Sequence, residues 1–218
     1  MANQVDFYQI VYKEEQKEAC YPFAKIHFNN TLTPFFENSV IRELVLASEA
    51  DKISVCSWKL REKSKWNVCM PRKLTMEVLE SSYDVLSFTC NTKKHQFLNA
   101  ADMYHKGFKE TLKRILGMML KPMPSEVKYP IYQNHFSAES SIYKRYVIEY
   151  LIPAIEIMRD DADCWRNSNY SNLNKRNAAD SEYLSKAIGV PYYPMIPFLL
   201  ERLFAIFCQN ERIKVTYL

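Results

Sequence analysis

The sequence predicts an α/β fold, a mainly parallel central sheet flanked by helices, and three observations carry that expectation. Val5–Tyr12 alternates and is rich in β-formers, Glu37–Glu49 sets Val40, Ile41, Leu44 and Val45 on one helical face, and Asp51–Ser57 again reads as a strand. A strand, a helix and a strand in that order make a parallel pair by default, because the crossover packs back onto the sheet. The alternation then continues, and the chain closes with an apolar helix from Pro197 to Cys208 and a strand at Ile213–Leu218.

Taken in order, Lys13–Ala19 is a charged loop or short helix, and residues 20–35 are irregular, punctuated by Pro22, Asn29, Asn30 and Pro34. Trp58–Met70 is a basic loop bracketed by Trp58 and Trp66. Because it leaves the carboxyl end of a strand, where open α/β sheets bind ligands, Lys59, Arg61, Lys63 and Lys65 are candidates to meet phosphate. The competing view is a solvated charged surface. Thr75–Ser81 is a short helix and Tyr83–Cys90 a strand, with Asn91–His95 leaving its end. Two helical pieces follow, Asn99–Tyr104 and Lys109–Met119, broken at His105 and Gly107. After a Lys121–Ser125 linker, Tyr129–Phe136 reads as a strand with a polar end at Asn134-His135. Ser137 or Ser140 is set to cap a long helix, Ser141–Asp160, kinked at Pro153. Residues 160–180 are polar and rich in Asn, and read as a mobile loop or lid. Asp160, Asp161 and Asp163 lack the Gly turn and distal Glu of an EF-hand.

The last helix contains one acid and one base side by side, Glu201 and Arg202, among Phe198, Leu199, Leu200, Leu203, Phe204, Ile206 and Phe207. Isolated buried charges cost several kcal/mol. The two are therefore either a structural ion pair or the floor of a polar site.

The 218 residues suit a single domain. Only three glycines are present and neither GxGxxG nor GxxxxGK[ST] occurs, which argues against Rossmann dehydrogenases and P-loop NTPases. A net charge of +4 permits an anionic ligand without requiring nucleic acid, for which the Trp58–Trp66 loop is the sole cue. The six cysteines are scattered without a CxxC, and Cys56, Cys90 and Cys208 read as reduced core thiols. With no signal peptide and no apolar run of membrane-spanning length, the expected location is the cytoplasm, with peripheral contact at the inner membrane face left open.

Several blocks in order resemble the bacterial glycosyltransferase-like proteins encoded with capsule and O-antigen polysaccharide genes. They are Asn38 through Glu43-Leu44, Ile53–Arg61, Tyr83–Leu86, Tyr104-His105, Asn134-His135-Phe136 with the Tyr-rich helix Tyr143–Ile157, and Gly189 with Glu201-Arg202-Leu203. The resemblance covers most of the chain. It implies a nucleotide-sugar transferase (GT-A)-like fold and hexosyl transfer from a nucleotide-sugar donor to a saccharide or lipid-linked acceptor. It casts Glu201, Glu43 and His105 as catalytic candidates, Lys59, Arg61, Arg202 and Asn38 as donor and phosphate ligands, and Asn91, Asn134 and His135 as pocket residues. Where such transferases hold Mn or Mg on an Asp-x-Asp after the third strand, this chain has Cys90-Asn91, so the metal stays unassigned. The competing class is a non-catalytic carbohydrate- or partner-binding protein on a degenerate transferase fold.

Overall fold

The structure, a computed structural model, describes residues 3–29, 33–61, 74–88, 97–168 and 178–218. Asn91, Cys69, Cys90, most of the basic loop and the middle of the Asn-rich loop lie outside the described residues.

Six strands form one sheet: β1 (Val5–Val11), β2 (Lys25–Phe28), β3 (Lys52–Ser57), β4 (Val85–Ser87), β5 (Phe136–Glu139) and β6 (Val215–Tyr217). Their order across the sheet is β2-β1-β3-β5-β4-β6. β1 runs parallel to β2 and β3, and β6 parallel to β4, whereas β5 is antiparallel to both its neighbours. Five strands therefore point one way and β5 the other. The sheet is mixed, with three of its five pairings parallel, so the parallel sheet expected holds in part. β5 enters between β3 and β4 after the two helices that follow β4, and runs against both neighbours.

The helices are α1 (Glu37–Ala47), α2 (Met76–Glu80), α3 (Phe97–Tyr104), α4 (Phe108–Met118), α5 (Ser140–Tyr146), α6 (Ile152–Arg159), α7 (Ala178–Ile188) and α8 (Ile196–Asn210). A short 3-10 helix covers Glu14–Ala19. α5 and α6 are joined by a π-helical turn, Val147–Leu151. Pro153 has no N–H for the carbonyl four residues back, so the expected break is taken up by a widened turn just ahead of it. Ser137 and Ser140 do not cap this rod; its N-cap is Glu139, with no side-chain bond.

The sheet separates two apolar layers. On one face Ile10, Ile53, Val55, Val85, Phe136, Ala138 and Val215 meet α1, α3 to α6 and α8. The centre of that layer is aromatic: Phe136 stacks on Phe204 at 3.8 Å, with Tyr143, Tyr146, Tyr150 and Phe207 around them. α8 is buried nearly all round, as its composition requires. The opposite face is thinner, with Phe7, Cys56, Leu86 and Phe88 under Leu60, Leu74, Leu79, Tyr83, Tyr21 and Phe23. Cys20, Cys56, Cys164 and Cys208 are free and buried, and burial pushes the Cys56 thiol up to about 12. Among the described residues no helix is long and apolar enough to cross a membrane.

Candidate functional site

The connection leaving β1 turns to β2 on one side, and that leaving β3 passes to β4 on the other, so the strand order reverses between β1 and β3. In open α/β sheets the crevice outside the carboxyl ends at such a point is where ligands bind. The residues at this edge follow from the sheet order: Asn29 after β2, Tyr12 after β1, Ser57-Trp58 at the end of β3, the turn before β5, and Phe88 after β4.

Gln9 is fully buried on β1 and ties the edge together. Its amide nitrogen donates to the Ser57 carbonyl at 3.3 Å and its oxygen accepts from the Tyr21 N–H at 2.6 Å. On the β1 side, the Tyr12 phenol is pushed far up, first by burial and next by the Glu37 carboxylate. Tyr183 of α7 is raised by burial and by the same carboxylate. Glu37 opens α1 with two tyrosines facing it. The residue before it, Phe36, sits at φ 48° and ψ −126°, with the Asn38 N–H bonded to the Phe35 carbonyl. That is the first central position of a type II′ turn, which glycine normally takes, and strain of this kind concentrates at functional sites.

On the β3 side, Tyr132–His135 makes a tight turn closed by the His135 N–H on the Tyr132 carbonyl at 3.1 Å. Its two central residues, Gln133 (φ 59°) and Asn134 (φ 53°), are both left-handed. Asn134 is anchored to β3 by the Cys56 thiol on its carbonyl, and His135 to β4 by the Phe88 N–H. Lys59 is exposed beyond β3, its ammonium 5.4 Å from the Trp58 ring centre. Arg61 is half-buried and donates one N–H to the Cys20 carbonyl at 3.0 Å, which holds the turn carrying Tyr21.

Behind this turn stands the Glu201-Arg202 pair. Arg202 Nη1 donates to the Glu201 carboxylate at 3.0 Å, and the guanidinium lies over Phe97 and Tyr132 at 5.1 and 5.7 Å. Its Nε is buried with no hydrogen-bond partner among the described residues. His105, at the α3–α4 break, stacks on Phe198 at 4.2 Å. Its Nδ1 donates to the Ser168 carbonyl at 2.9 Å, which leaves Nε2 with the lone pair in the neutral ring. Burial depresses its pKa and the Arg202 charge adds to that, while the Ser168 carbonyl opposes both.

Direct contacts link these parts. His105 holds Ser168, the Ser168 N–H donates to the Tyr193 carbonyl, and the Tyr193 ring meets Phe36 at 6.0 Å beside Glu37. On the other side His105 feels the charge of Arg202, whose guanidinium lies over Tyr132 in the turn before β5, and Asn134 of that turn is bonded to β3. Of the residues singled out from the sequence, His105, Glu201, Arg202, Asn134 and His135 fall on this rim, and Lys59 and Arg61 on its β3 corner. Asn38 is buried in the first turn of α1, its amide donating to the Phe35 carbonyl at 3.1 Å. Glu43 is exposed on α1. Glu37, Tyr12 and Tyr183 were not singled out. Glu37 follows Phe36 at the helix start, so position was the one available cue, and the contact with Tyr183 is long-range. Asp161 is clamped by Arg114, with Nη2 on Oδ1 at 2.8 Å, and its pKa is lowered to about 2 for that reason. Residues 160–168 are thereby pinned to α4, and 178–188 form α7, so the ends of the expected mobile loop are held.

Among the described residues no three His, Cys, Asp or Glu side chains converge as a metal site. Compared with known proteins, the chain matches no family model, no curated protein and no solved structure.

Proposed function

We propose that this chain is a glycosyltransferase of GT-A type. In this reading it resembles the proteins encoded with capsule and O-antigen genes, and it moves a sugar from a nucleotide-sugar donor to a saccharide or lipid-linked acceptor. The observation that carries the reading is the continuous polar and aromatic rim at the carboxyl edge where the strand order reverses between β1 and β3. The carboxyl edge at such a switch point is the default ligand site of open α/β sheets.

In this reading Trp58 and Tyr12 offer ring faces to the base or sugar. Lys59 and Arg61 face the diphosphate, and a guanidinium suits paired phosphate oxygens. The acceptor hydroxyl oxygen attacks the anomeric carbon, the bond from that carbon to the diphosphate oxygen breaks, and the nucleoside diphosphate leaves with the electron pair. The hydroxyl proton passes to a base on the rim. Glu37 is the carboxylate in position, and neutral His105 is the second candidate. Glu201 is occupied by Arg202, which makes the pair a support beneath the turn before β5. In this reading Lys59 and Arg61 carry the neutralisation of the leaving diphosphate.

The test is thermal stability against UDP-, GDP-, CMP- and dTDP-sugars, with and without manganese. A ligand at about 100 times its dissociation constant adds ~2.7 kcal/mol. One nucleotide should raise the melt, and Lys59→Ala should weaken that response. If no nucleotide does so while a free glycan does, the chain is a carbohydrate-binding protein without transfer.

A further inference from the structure

Beside this rim, a concave surface lies between the start of α1 and the end of α6. It is a half-open cleft of about 410 Å³ lined by Phe35, Ile155, Trp165, Arg42, Arg159 and the short side chains of Thr33, Pro34 and Ser39. Its walls are mostly apolar. Phe35 and Ile155 are buried below it, and Trp165 is fixed in place by its indole N–H on the Arg159 carbonyl at 2.8 Å.

The polar groups are unequal in what they leave for a ligand. Ser39 donates to the Phe36 carbonyl at 2.8 Å, and Thr33 Oγ1 accepts from the Phe35 N–H at 3.3 Å. The indole is committed to the backbone. Arg42 and Arg159 remain, on two different helices. Neither guanidinium has a carboxylate partner among the described residues, although Arg114, Arg145, Arg166 and Arg202 all do. No Asp or Glu lines the cleft. Its free polar chemistry is therefore cationic and donor-rich, around an apolar and aromatic body.

We infer that this cleft binds a small organic phosphate, with its planar or apolar body against Trp165 and Phe35 and its phosphate between Arg42 and Arg159. Guanidinium groups match phosphate oxygens in pairs and hold their charge at any physiological pH. The volume is in the range of small-molecule sites. Trp165 is half-buried and hydrogen-bonded, the setting of a wall rather than of a ring projecting to insert into a lipid surface. The inference stands on these residues alone and does not depend on sugar transfer.

The test is calorimetric titration of the intact chain with phenyl phosphate and with inorganic phosphate, repeated on Arg42→Ala and Arg159→Ala. Both side chains are exposed, so each variant should melt with the wild type. The expected result is that phenyl phosphate binds more tightly than inorganic phosphate and weakens about tenfold in each variant, the loss of one charge-assisted contact. Absence of phenyl phosphate binding overturns the proposal, as does binding that both variants retain, or equal affinity for inorganic phosphate. Flotation with phosphatidic acid vesicles is the last arm. Arginine-dependent flotation without phenyl phosphate binding would make this a membrane-facing patch and likewise overturn it. Nucleotide-sugar binding lost in Lys59→Ala but kept in Arg42→Ala separates this cleft from the crevice at β1 and β3.

Discussion

Arg202 shows how one side chain is held by several weak terms at once. Its side chain is 11% exposed, paired with a Glu201 that is 25% exposed, and it lies against two rings. Removing it takes one charged partner from a half-buried carboxylate and forfeits the ring contacts. Arg202→Ala should therefore lower stability by about 2 kcal/mol, below the full penalty for breaking a buried pair because Glu201 is partly wet. Urea unfolding measures this, and a change within experimental error would mean that the pair is ornamental. Glu43→Gln, on the outer face of α1, should move stability by less than about 0.5 kcal/mol. His105 supplies a pH prediction. Its folded-state pKa lies below its ordinary value of about 6.5, so the unfolded chain takes up the proton first as pH falls. Stability from this residue is complete above that value and declines below it until the folded ring itself protonates. The groups facing it are Arg202, the Ser168 carbonyl, Phe108 and Phe198. Melting curves at pH 7.5 and 5.5 should differ more for the wild type than for His105→Gln; equal differences would sink this assignment.

At the scale of elements, two helix ends break the usual residue preference in opposite ways. Gly107 opens α4 at φ 82°, and a Cβ there would lie 3.0 Å from Arg166 Nη2. Gly107→Ala should destabilise by about 1–2 kcal/mol, read by thermal melting, through left-handed strain and displacement of Arg166. Leu120 sits at the far end of α4 at φ 56° and is 92% exposed, with the Lys121 N–H returning to the Leu116 carbonyl. This is a Schellman end with leucine where glycine is favoured, so Leu120→Gly should stabilise by about 0.5–1 kcal/mol. The sequence made the strongly patterned elements legible: β1, α1, β3, the break between α3 and α4, the long kinked rod, α8 and β6. It hid β2, four residues with no flanking signal, whose identity depends on pairing with β1. It also misled at β5. Tyr129–Phe136 has the β-formers, but the paired residues are Phe136–Glu139, whose Ser-Ala-Glu carries little preference of its own. There the neighbours decide, since Ser137 is bonded by Tyr83 and lies between β3 and β4.

For the molecule as a whole, stability is concentrated where the sheet meets α8. Phe204 contacts Phe136, Tyr143, Tyr146 and Phe207, so Phe204→Ala should cost about 3–4 kcal/mol in a denaturant titration. The candidate site was legible only in its local pieces. Asn134-His135, His105 and Glu201-Arg202 stand out as polar residues in apolar or strand-end settings, and the fold gathers them. What joins them is invisible in one dimension: Glu37 lies 146 positions from Tyr183, and His105 reaches the Ser168 carbonyl across 63 positions. The reversed strand has a further consequence for how the chain assembles during synthesis. β1, β2, α1 and β3 are complete within the first 57 residues and can form early. The free side of β3 then waits for residues 136–139, and β4 has no partner on either side until β5 and β6 are made. A nascent chain halted before Phe136 would present Ile53, Val55 and Cys56 on an open, apolar edge, ready to pair with another copy. The interval between β3 and β5 is therefore the stretch of synthesis in which the open edge of β3 is uncovered.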